Sequence, residues 1–124
     1  MLSLEELKNL TVLYVEDDEI TREMALRMLS KYFKVVYPAA DGREGLELFG
    51  ECNPDLIITD LSMPEMSGFE MINSIQKTSK DIPIIVTTAY RSEAEALTDV
   101  NAVVYKPVNK KILIDAVLEL DINI

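Results

Sequence analysis

Residues 54–68 give the clearest indication of the fold, and their sequence is Pro-Asp-Leu-Ile-Ile-Thr-Asp-Leu-Ser-Met-Pro-Glu-Met-Ser-Gly. The apolar run at residues 56–59 predicts a short buried strand, because a proline interrupts the chain just before it. Proline and glycine then predict a loop, and residues 69–78 carry apolar side chains at helical spacing. The segment is therefore a strand, a loop and a helix, and Asp60 is placed where the strand ends.

Similar units extend on both sides of this segment. Four more short apolar runs predict strands, and a longer amphipathic stretch follows each strand. Ser3 and Glu6 have capping-box spacing, which predicts a helical turn within residues 1–10, ahead of the first strand. The predicted strands are residues 11–15, 34–37, 56–59, 83–87 and 102–105, and the predicted helices are residues 19–32, 42–51 with Asp41 as a candidate cap, 69–78, 92–99 and 109–120.

Strict alternation of strands and helices predicts an α/β fold. Each strand–helix–strand unit favours parallel strands joined by right-handed crossovers, so the sheet is covered on both faces. We therefore predict a doubly wound, five-stranded parallel sheet with five helices. Ligands of such folds bind beyond the carboxyl ends of the strands, so functional residues are expected at that edge.

The composition is that of one acidic domain, with residues 1–124 treated as a single unit. The net charge of −10 argues against direct binding of nucleic acid, which depends largely on Lys and Arg. With one cysteine, Cys52, and no histidine, neither an intrachain disulfide nor a typical zinc site is expected. No apolar run is long enough for a membrane span and the N-terminus is unlike a signal peptide, so a cytoplasmic location is the expectation.

Four of the five predicted strands end beside groups that bind cations or phosphate. Three close carboxylates repel one another unless a cation neutralises them, and oxygen ligands suit Mg²⁺. A carboxylate can also attack phosphorus, while Lys and Thr groups stabilise phosphoryl oxygens. The residues are Glu16, Asp17 and Asp18 after the first strand, Asp60 after the third, Thr87 and Thr88 at the fourth, and Lys106 after the fifth.

Each of these residues alone has a simpler explanation. Asp17 or Asp18 can cap the helix that starts near residue 19, and Asp60 can cap a turn. A threonine at a strand end is usually structural, and a lysine in a loop is usually solvated. Their joint position at one edge of one predicted sheet is what favours a magnesium-dependent phosphoryl site.

Four motifs, in this order and at these spacings, resemble the receiver domain of bacterial response regulators, of the chemotaxis-regulator type. The resemblance covers residues 11 to about 120 and implies a flavodoxin-like sheet of strand order 2-1-3-4-5. The motifs are Val-Leu-Tyr-Val-Glu-Asp-Asp-Glu at residues 12–19, the stretch at 54–68, Pro-Ile-Ile-Val-Thr-Thr-Ala at 83–89, and Tyr-Lys-Pro at 105–107.

The resemblance implies which residues carry the phosphoryl group and the metal. Asp60 matches the phosphoacceptor. Glu16 and Asp17 match the acidic pair that holds Mg²⁺ together with Asp60. Ser62 matches the position whose backbone carbonyl completes the protein ligands of the ion.

Two more residues match family positions that act on the phosphoryl group. Thr88 matches the hydroxyl that senses it, with Thr87 as the less favoured choice, and Lys106 matches the lysine that contacts a phosphoryl oxygen. The resemblance also implies a cis peptide bond between Lys106 and Pro107, although cis bonds occur at only about 5% of X-Pro bonds.

The sequence departs from the family where many receivers have an aromatic switch residue. That position, three residues before the lysine, is Val103, and the aromatic Tyr105 directly precedes Lys106. Tyr105 is therefore a candidate switch residue beside Thr88. Tyr90 is another candidate, which either shields the phosphoryl group from water or is a half-exposed loop aromatic.

The expected function is that of a phosphoacceptor signalling module in a two-component system. A histidine kinase or a phosphotransfer protein donates to Asp60, docking near Ile20, Met24 and Met28. The face formed by the fourth helix, fifth strand and fifth helix of the alternation then rearranges. That face is expected to meet an effector or a second copy of the chain.

Three other functions fit part of the sequence. A small phosphatase or phosphotransferase that forms an aspartyl phosphate often has a second Asp two positions after the nucleophile, where this chain has Ser62. A flavin-binding module would need a loop after the first strand that cradles phosphate, and here that loop is acidic. A receiver used only for docking would not need the complete set of site residues.

Overall fold

Five parallel strands form one sheet in the computed structural model, which describes residues 1–95, 97 and 99–122. The strands are β1 (Thr11–Val15), β2 (Val35–Ala39), β3 (Leu56–Asp60), β4 (Ile84–Thr88) and β5 (Ala102–Tyr105). The helices are α1 (Leu4–Leu7), α2 (Glu19–Leu29), α3 (Gly42–Cys52), α4 (Gly68–Gln76), α5 (Arg91–Glu95) and α6 (Lys110–Leu118). The strand order β2-β1-β3-β4-β5 confirms the predicted doubly wound α/β fold.

The central strand β3 brings the strand ends together. Its pairing with β1 sets Thr59 beside Val15, and its pairing with β4 sets Asp60 beside Thr87. The next pairing sets Thr88 beside Tyr105 of β5. Groups that end or follow β1, β3, β4 and β5 therefore share one edge of the sheet.

Both faces of the sheet are covered by helices. Every residue of β3 and β4 is buried, which explains why each strand begins with three consecutive apolar residues before its polar end. Along β1, Val12 and Tyr14 join the core layer that contains residues of α1, α2 and α6. Leu13 and Val15 join the opposite layer with residues of α3 and α4.

The strand predictions hold with small shifts. β1 and β5 have the predicted bounds, whereas β3 runs one residue further and β4 is displaced by one, so Asp60 and Thr88 are the last residues of strands. β2 runs from Val35 to Ala39 rather than over 34–37. Pro38 is tolerated within it because β2 is an edge strand.

The helix predictions need more correction. The predicted N-terminal turn is helix α1, with both hydrogen bonds of the Ser3–Glu6 capping box, so the described residues form six helices rather than five. Helix α2 ends at Leu29, earlier than the predicted residue 32. The amides of Lys31 and Tyr32 bond to carbonyls three residues back, which tightens the chain out of the α-helix.

Helix α3 ends at Cys52, one residue beyond its predicted end, whereas α4 and α6 end before their predicted last residues. Helix α4 ends at Gln76, and Asn109 is the N-cap of α6 rather than its first residue. Helix α5 covers Arg91–Glu95 of the predicted 92–99, and residues 96 and 98 lie outside the described residues. Within the part of the chain that the structure describes, no helix has both the length and the apolar character of a membrane span.

Candidate functional site

Three carboxylates meet at the carboxyl edge of the sheet. Glu16 and Asp17 directly follow β1, and Asp60 ends the neighbouring strand β3. One oxygen of each carboxylate lies within 4.8 Å of the other two. Glu16 and Asp60 are buried, whereas Asp17 is exposed, so a cation can reach the group from the solvent side.

Lys106 reaches the same group from the end of β5. Its Nζ donates to Oε1 of Glu16 at 2.8 Å and to Oδ2 of Asp60 at 3.0 Å. The side chains of Glu16 and Asp60 are 1% and 10% exposed, so solvent screens these ion pairs weakly. The Lys106–Pro107 peptide bond is cis, and the Lys106 amide donates to the carbonyl of Thr88.

The electrostatics of the group favour an additional cation. Burial raises the pKa of Glu16, and the nearby Asp60 adds to this, although Lys106 opposes it. Burial works against the charged form of Lys106, but its bonds to Glu16 and Asp60 outweigh this and the pKa of Lys106 is raised. Burial and then Glu16 also raise the pKa of Tyr14 above 10.0. One lysine is thus too little charge for three carboxylates, and an all-oxygen set of this kind fits Mg²⁺.

Arg22, which was not among the predicted site residues, supports the acidic loop after β1. Its guanidinium donates to the backbone carbonyls of Glu16 at 2.9 Å and Asp17 at 3.3 Å. Asp18 is the N-cap of α2 through its bond from the Thr21 amide, so the capping role falls on Asp18 and leaves Asp17 available. A basic residue one turn into the helix after an acidic pair was the signal in the sequence.

The loop after β3 is anchored by backbone bonds at both ends. The Leu61 amide donates to Oδ1 of Asp60 at 2.7 Å, and the Gly68 amide donates to the Leu61 carbonyl. Gly68 has to be glycine, since a Cβ there would overlap the Asp60 carbonyl. The middle of this loop is held by α3: the Gly42 amide, at the start of that helix, donates to the Met66 carbonyl.

The predicted sensing residues lie on the other side of Asp60. The hydroxyl of Thr88 has Tyr90 and Glu93 as its hydrogen-bond partners among the described residues. The Ser62 hydroxyl donates to Glu93 at 2.8 Å. Tyr90 is 59% exposed, so the structure does not bring its side chain into the buried part of the site. Glu93 was not among the predicted site residues, because it belongs to no sequence motif.

Val103 and Tyr105, the two positions that bear on the aromatic switch, differ in their surroundings. Val103 is half-buried and packs against the α3/α4 core layer. Tyr105 is 37% exposed, and the guanidinium carbon of Arg91 lies 4.4 Å from the centroid of its ring. An aromatic side chain is therefore present where β5 meets α5, but it belongs to Tyr105, directly before Lys106.

A groove of about 700 Å³ opens beside Lys106, between α2 and the segment after β5. Of the residues predicted to meet a donor, Ile20 and Met24 are exposed at 71% and 68%, and Met28 is partly buried against the core. Apolar side chains dominate the walls of the groove, among them Met24, Ala25, Met28, Val108 and Leu113.

Comparison with known proteins matches most of this chain to a described family. A family model described as the response regulator receiver domain matches residues 12–119. The response regulator MprA of Mycolicibacterium vanbaalenii is 37% identical over 91 residues, which cover 73% of this chain and 39% of that protein. The chain thus spans about two fifths of the length of the curated relatives that it matches.

Two solved structures share the fold along nearly their whole length. The chemotaxis response regulator CheY4 of Vibrio cholerae is 31% identical, with a TM-score of 0.78 over 88% of this chain and 96% of that chain. The response regulator TrrA of Thermotoga maritima, solved in complex with Mg²⁺ and BeF, is 33% identical, with a TM-score of 0.79 over 86% of this chain and 95% of that chain.

Proposed function

This chain belongs to the response regulator receiver domain family of two-component systems, and on that premise we propose that Asp60 is its phosphoacceptor. The observation that carries the proposal is the arrangement around the Asp60 carboxylate. Oδ1 is held by the Leu61 amide, Oδ2 is held by Lys106, and two more carboxylates lie beside it. Such a group combines a fixed nucleophile with a cation site.

The proposed reaction is a direct transfer. A carboxylate oxygen of Asp60 forms a bond to phosphorus while the bond from phosphorus to the donor breaks, and the bonding electrons leave with the donor. Lys106 keeps its charge at neutral pH because its pKa is raised, so it can neutralise a phosphoryl oxygen. The hydroxyl of Thr88, at the end of the adjacent strand, is the proposed donor to another phosphoryl oxygen.

Mg²⁺ is the proposed cation. The carboxylates of Glu16, Asp17 and Asp60 and the backbone carbonyl of Ser62 would hold it, and bound there it would neutralise charge on the transferred group. The Thermotoga maritima protein, crystallised with Mg²⁺ and BeF, supports this assignment by similarity.

We propose that the protein turns over no substrate other than its own phosphoryl group. The position two residues after Asp60, where a phosphatase of this chemistry often has an acid, is Ser62, and its hydroxyl is engaged with Glu93. The alternative of a phosphatase or phosphotransferase that acts on free substrates is therefore not favoured.

The proposed partners follow from two surfaces. A histidine kinase or phosphotransfer protein is proposed to dock at the apolar groove, where Met24 and Met28 lie next to the Lys106 end of the site. An effector or a second copy is proposed to meet the face formed by α5, β5 and α6, and a cytoplasmic location goes with this role.

Incubation with acetyl phosphate and Mg²⁺ tests the function. The protein is expected to gain one phosphoryl group, and the labelling should disappear in Asp60→Asn and on chelation of the metal. Asp55→Asn is the matched control. Asp55 directly precedes β3, at the end of the strand opposite to Asp60, so this variant should be labelled normally. Persistent labelling of Asp60→Asn, or no labelling of the wild type, would contradict the proposal.

A further inference from the structure

Glu93 joins two parts of the site that are far apart in sequence. Its Oε1 accepts a hydrogen bond from the Ser62 hydroxyl at 2.8 Å, and its Oε2 accepts one from the Thr88 hydroxyl at 3.3 Å. Ser62 lies in the loop after Asp60, Thr88 ends β4, and Glu93 is on α5. One carboxylate therefore links the loop of the phosphoacceptor, the proposed sensing residue and a helix of the proposed output face.

The Thr88 hydroxyl is engaged on this side of the site. Besides Glu93, it lies 3.5 Å from the Tyr90 carbonyl, and it accepts a bond from the Tyr90 amide at 3.1 Å. A threonine hydroxyl has one proton to donate. It cannot donate to a phosphoryl oxygen on Asp60 while it donates to Glu93, so phosphorylation has to exchange one acceptor for the other.

We propose that Glu93 is a positioning residue: it holds the Thr88 hydroxyl away from Asp60 in the unphosphorylated protein, and the loss of this contact transmits phosphorylation to α5. The inference rests on the proposed role of Asp60. The exchange is favourable because a phosphoryl group carries more negative charge than one carboxylate and so attracts the hydroxyl more strongly. The same charge repels the Glu93 carboxylate, which moves α5 in the outward direction.

Helix α5 is suited to respond to this exchange. It has five residues, Arg91–Glu95, and Ala94 is the one among them that is buried, so few apolar contacts resist its displacement. Arg91 stacks on the ring of Tyr105, which extends the link from α5 to β5. Val103 has no ring to rotate, and the Glu93 contact supplies a different connection between Thr88 and the output face.

The test measures the position of the Thr88–α5 segment in the free protein. Backbone amide NMR signals of Thr88, Tyr90 and Arg91 are compared with two reference states: the free wild type, and the wild type saturated with Mg²⁺ and beryllofluoride, a phosphoryl mimic. In Glu93→Ala the signals of the free protein are expected to move along the line toward the saturated state, which corresponds to a rise of roughly threefold to tenfold in the ratio of active to inactive populations. Glu93→Gln, which keeps the shape but not the charge, is expected to move them part of the way.

Glu95→Gln is the matched control. Glu95 is exposed on the same helix, and this change removes the same charge from it. Its signals should stay at the free wild-type position, and its labelling rate with acetyl phosphate should equal that of the wild type. Glu93→Ala is expected to label faster, again by roughly threefold to tenfold, because the Thr88 hydroxyl no longer has to leave a partner. If Glu93 only stabilised the fold, Glu93→Ala would lower the free energy of unfolding without moving the NMR signals along this line.

Two outcomes overturn the inference, and they can be told apart. If the wild type is labelled at Asp60 but both Glu93 variants keep the wild-type signals and labelling rate, the positioning role is wrong and the proposed function stands. If the wild type neither becomes labelled nor binds beryllofluoride, both proposals are wrong. Should Glu93→Ala fail to fold, Glu93→Gln alone decides, since it retains the volume of the side chain.

Discussion

The Nζ atom of Lys106 lies 3.0 Å from Oδ2 of Asp60, although 46 positions separate the two residues in the sequence. The lysine proposed to bind a phosphoryl oxygen is therefore already paired with the acceptor before any transfer. Phosphorylation would change the partner of Lys106 rather than recruit it from solvent. The same contact makes Lys106 a competitor of any metal ion that needs Oδ2 of Asp60 or Oε1 of Glu16.

Replacing Lys106 should separate metal binding from phosphoryl transfer. In Lys106→Ala, Mg²⁺ no longer competes with an ammonium group, so its affinity should rise by about tenfold, which corresponds to roughly 1.4 kcal/mol. Labelling by acetyl phosphate should nevertheless become at least about tenfold slower, because a charge that stabilises the transferred group is lost. Calorimetric titration with Mg²⁺ and a labelling time course measure the two effects.

The control for this change is Lys106→Arg, which keeps the positive charge. It should leave the affinity for Mg²⁺ near that of the wild type. An affinity of Lys106→Ala that is equal to or weaker than the wild-type value would show that Lys106 does not compete with the metal ion.

Replacing Glu16 should make the metal-free protein more stable while weakening its binding of Mg²⁺. Burial and the neighbouring Asp60 raise the pKa of Glu16, so its ionised form is disfavoured in the folded state. Glu16→Gln removes that cost and can still accept a bond from Lys106. Urea unfolding with chelator at neutral pH should show a gain of about 1 kcal/mol in the free energy of unfolding, a typical size for replacing a functional polar residue.

The pH dependence of this effect has a definite sign. Above the ordinary pKa of 4.5, unfolded Glu16 releases its proton before folded Glu16 does, so the folded state binds more protons. The contribution of Glu16 to stability is therefore fully present below pH 4.5 and is lost as the pH rises through the higher pKa of the folded state. The difference in stability between Glu16→Gln and the wild type should grow over that interval, and a difference that is constant with pH would contradict this account.

The glycine at the start of α3 should be needed for the loop that follows Asp60. A Cβ on Gly42 would overlap the Met66 carbonyl, so Gly42→Ala has to displace the loop. We expect a loss of about 2 kcal/mol in the free energy of unfolding, in the range for overpacked sites, together with weaker Mg²⁺ binding through the Ser62 carbonyl. Urea unfolding and a Mg²⁺ titration measure both.

Gly50 provides the comparison on the same helix. A Cβ there meets nothing within 4 Å, so Gly50→Ala should stabilise the protein by about 0.5–1 kcal/mol through helix propensity alone and leave Mg²⁺ binding unchanged. Equal effects of the two substitutions would show that the contact between Gly42 and Met66 does not hold the loop in place.

The sheet was predictable because it depends on local patterns. Residues 56–58 and 84–86 are apolar without interruption since both faces of a central parallel strand are buried, and a breaking proline lies close before each run. The ends of helices were less predictable. The turn that ends α2 at Leu29 is made by backbone bonds of Lys31 and Tyr32, and neither residue is a helix breaker.

The candidate site also has a part that was predictable from the sequence and a part that was not. The proximity of Glu16 and Asp60 followed from the strand order, because parallel strands place their carboxyl ends at one edge. The link from Ser62 to Glu93 spans 31 positions and joins a loop to a five-residue helix, so no periodicity or spacing encodes it. Contacts between side chains of separate loops depend on the packed tertiary structure, and sequence patterns contain little information about them.

Attachment of the phosphoryl group to Asp60 is tested by chemical identification of the modified residue. The protein is treated with acetyl phosphate and Mg²⁺, the acyl phosphate is reduced with borohydride, and the digested peptides are sequenced by mass spectrometry. Homoserine is expected at position 60, with unmodified aspartate at positions 17 and 18. Homoserine at Asp17 or Asp18, or its absence from position 60, would contradict attachment to Asp60.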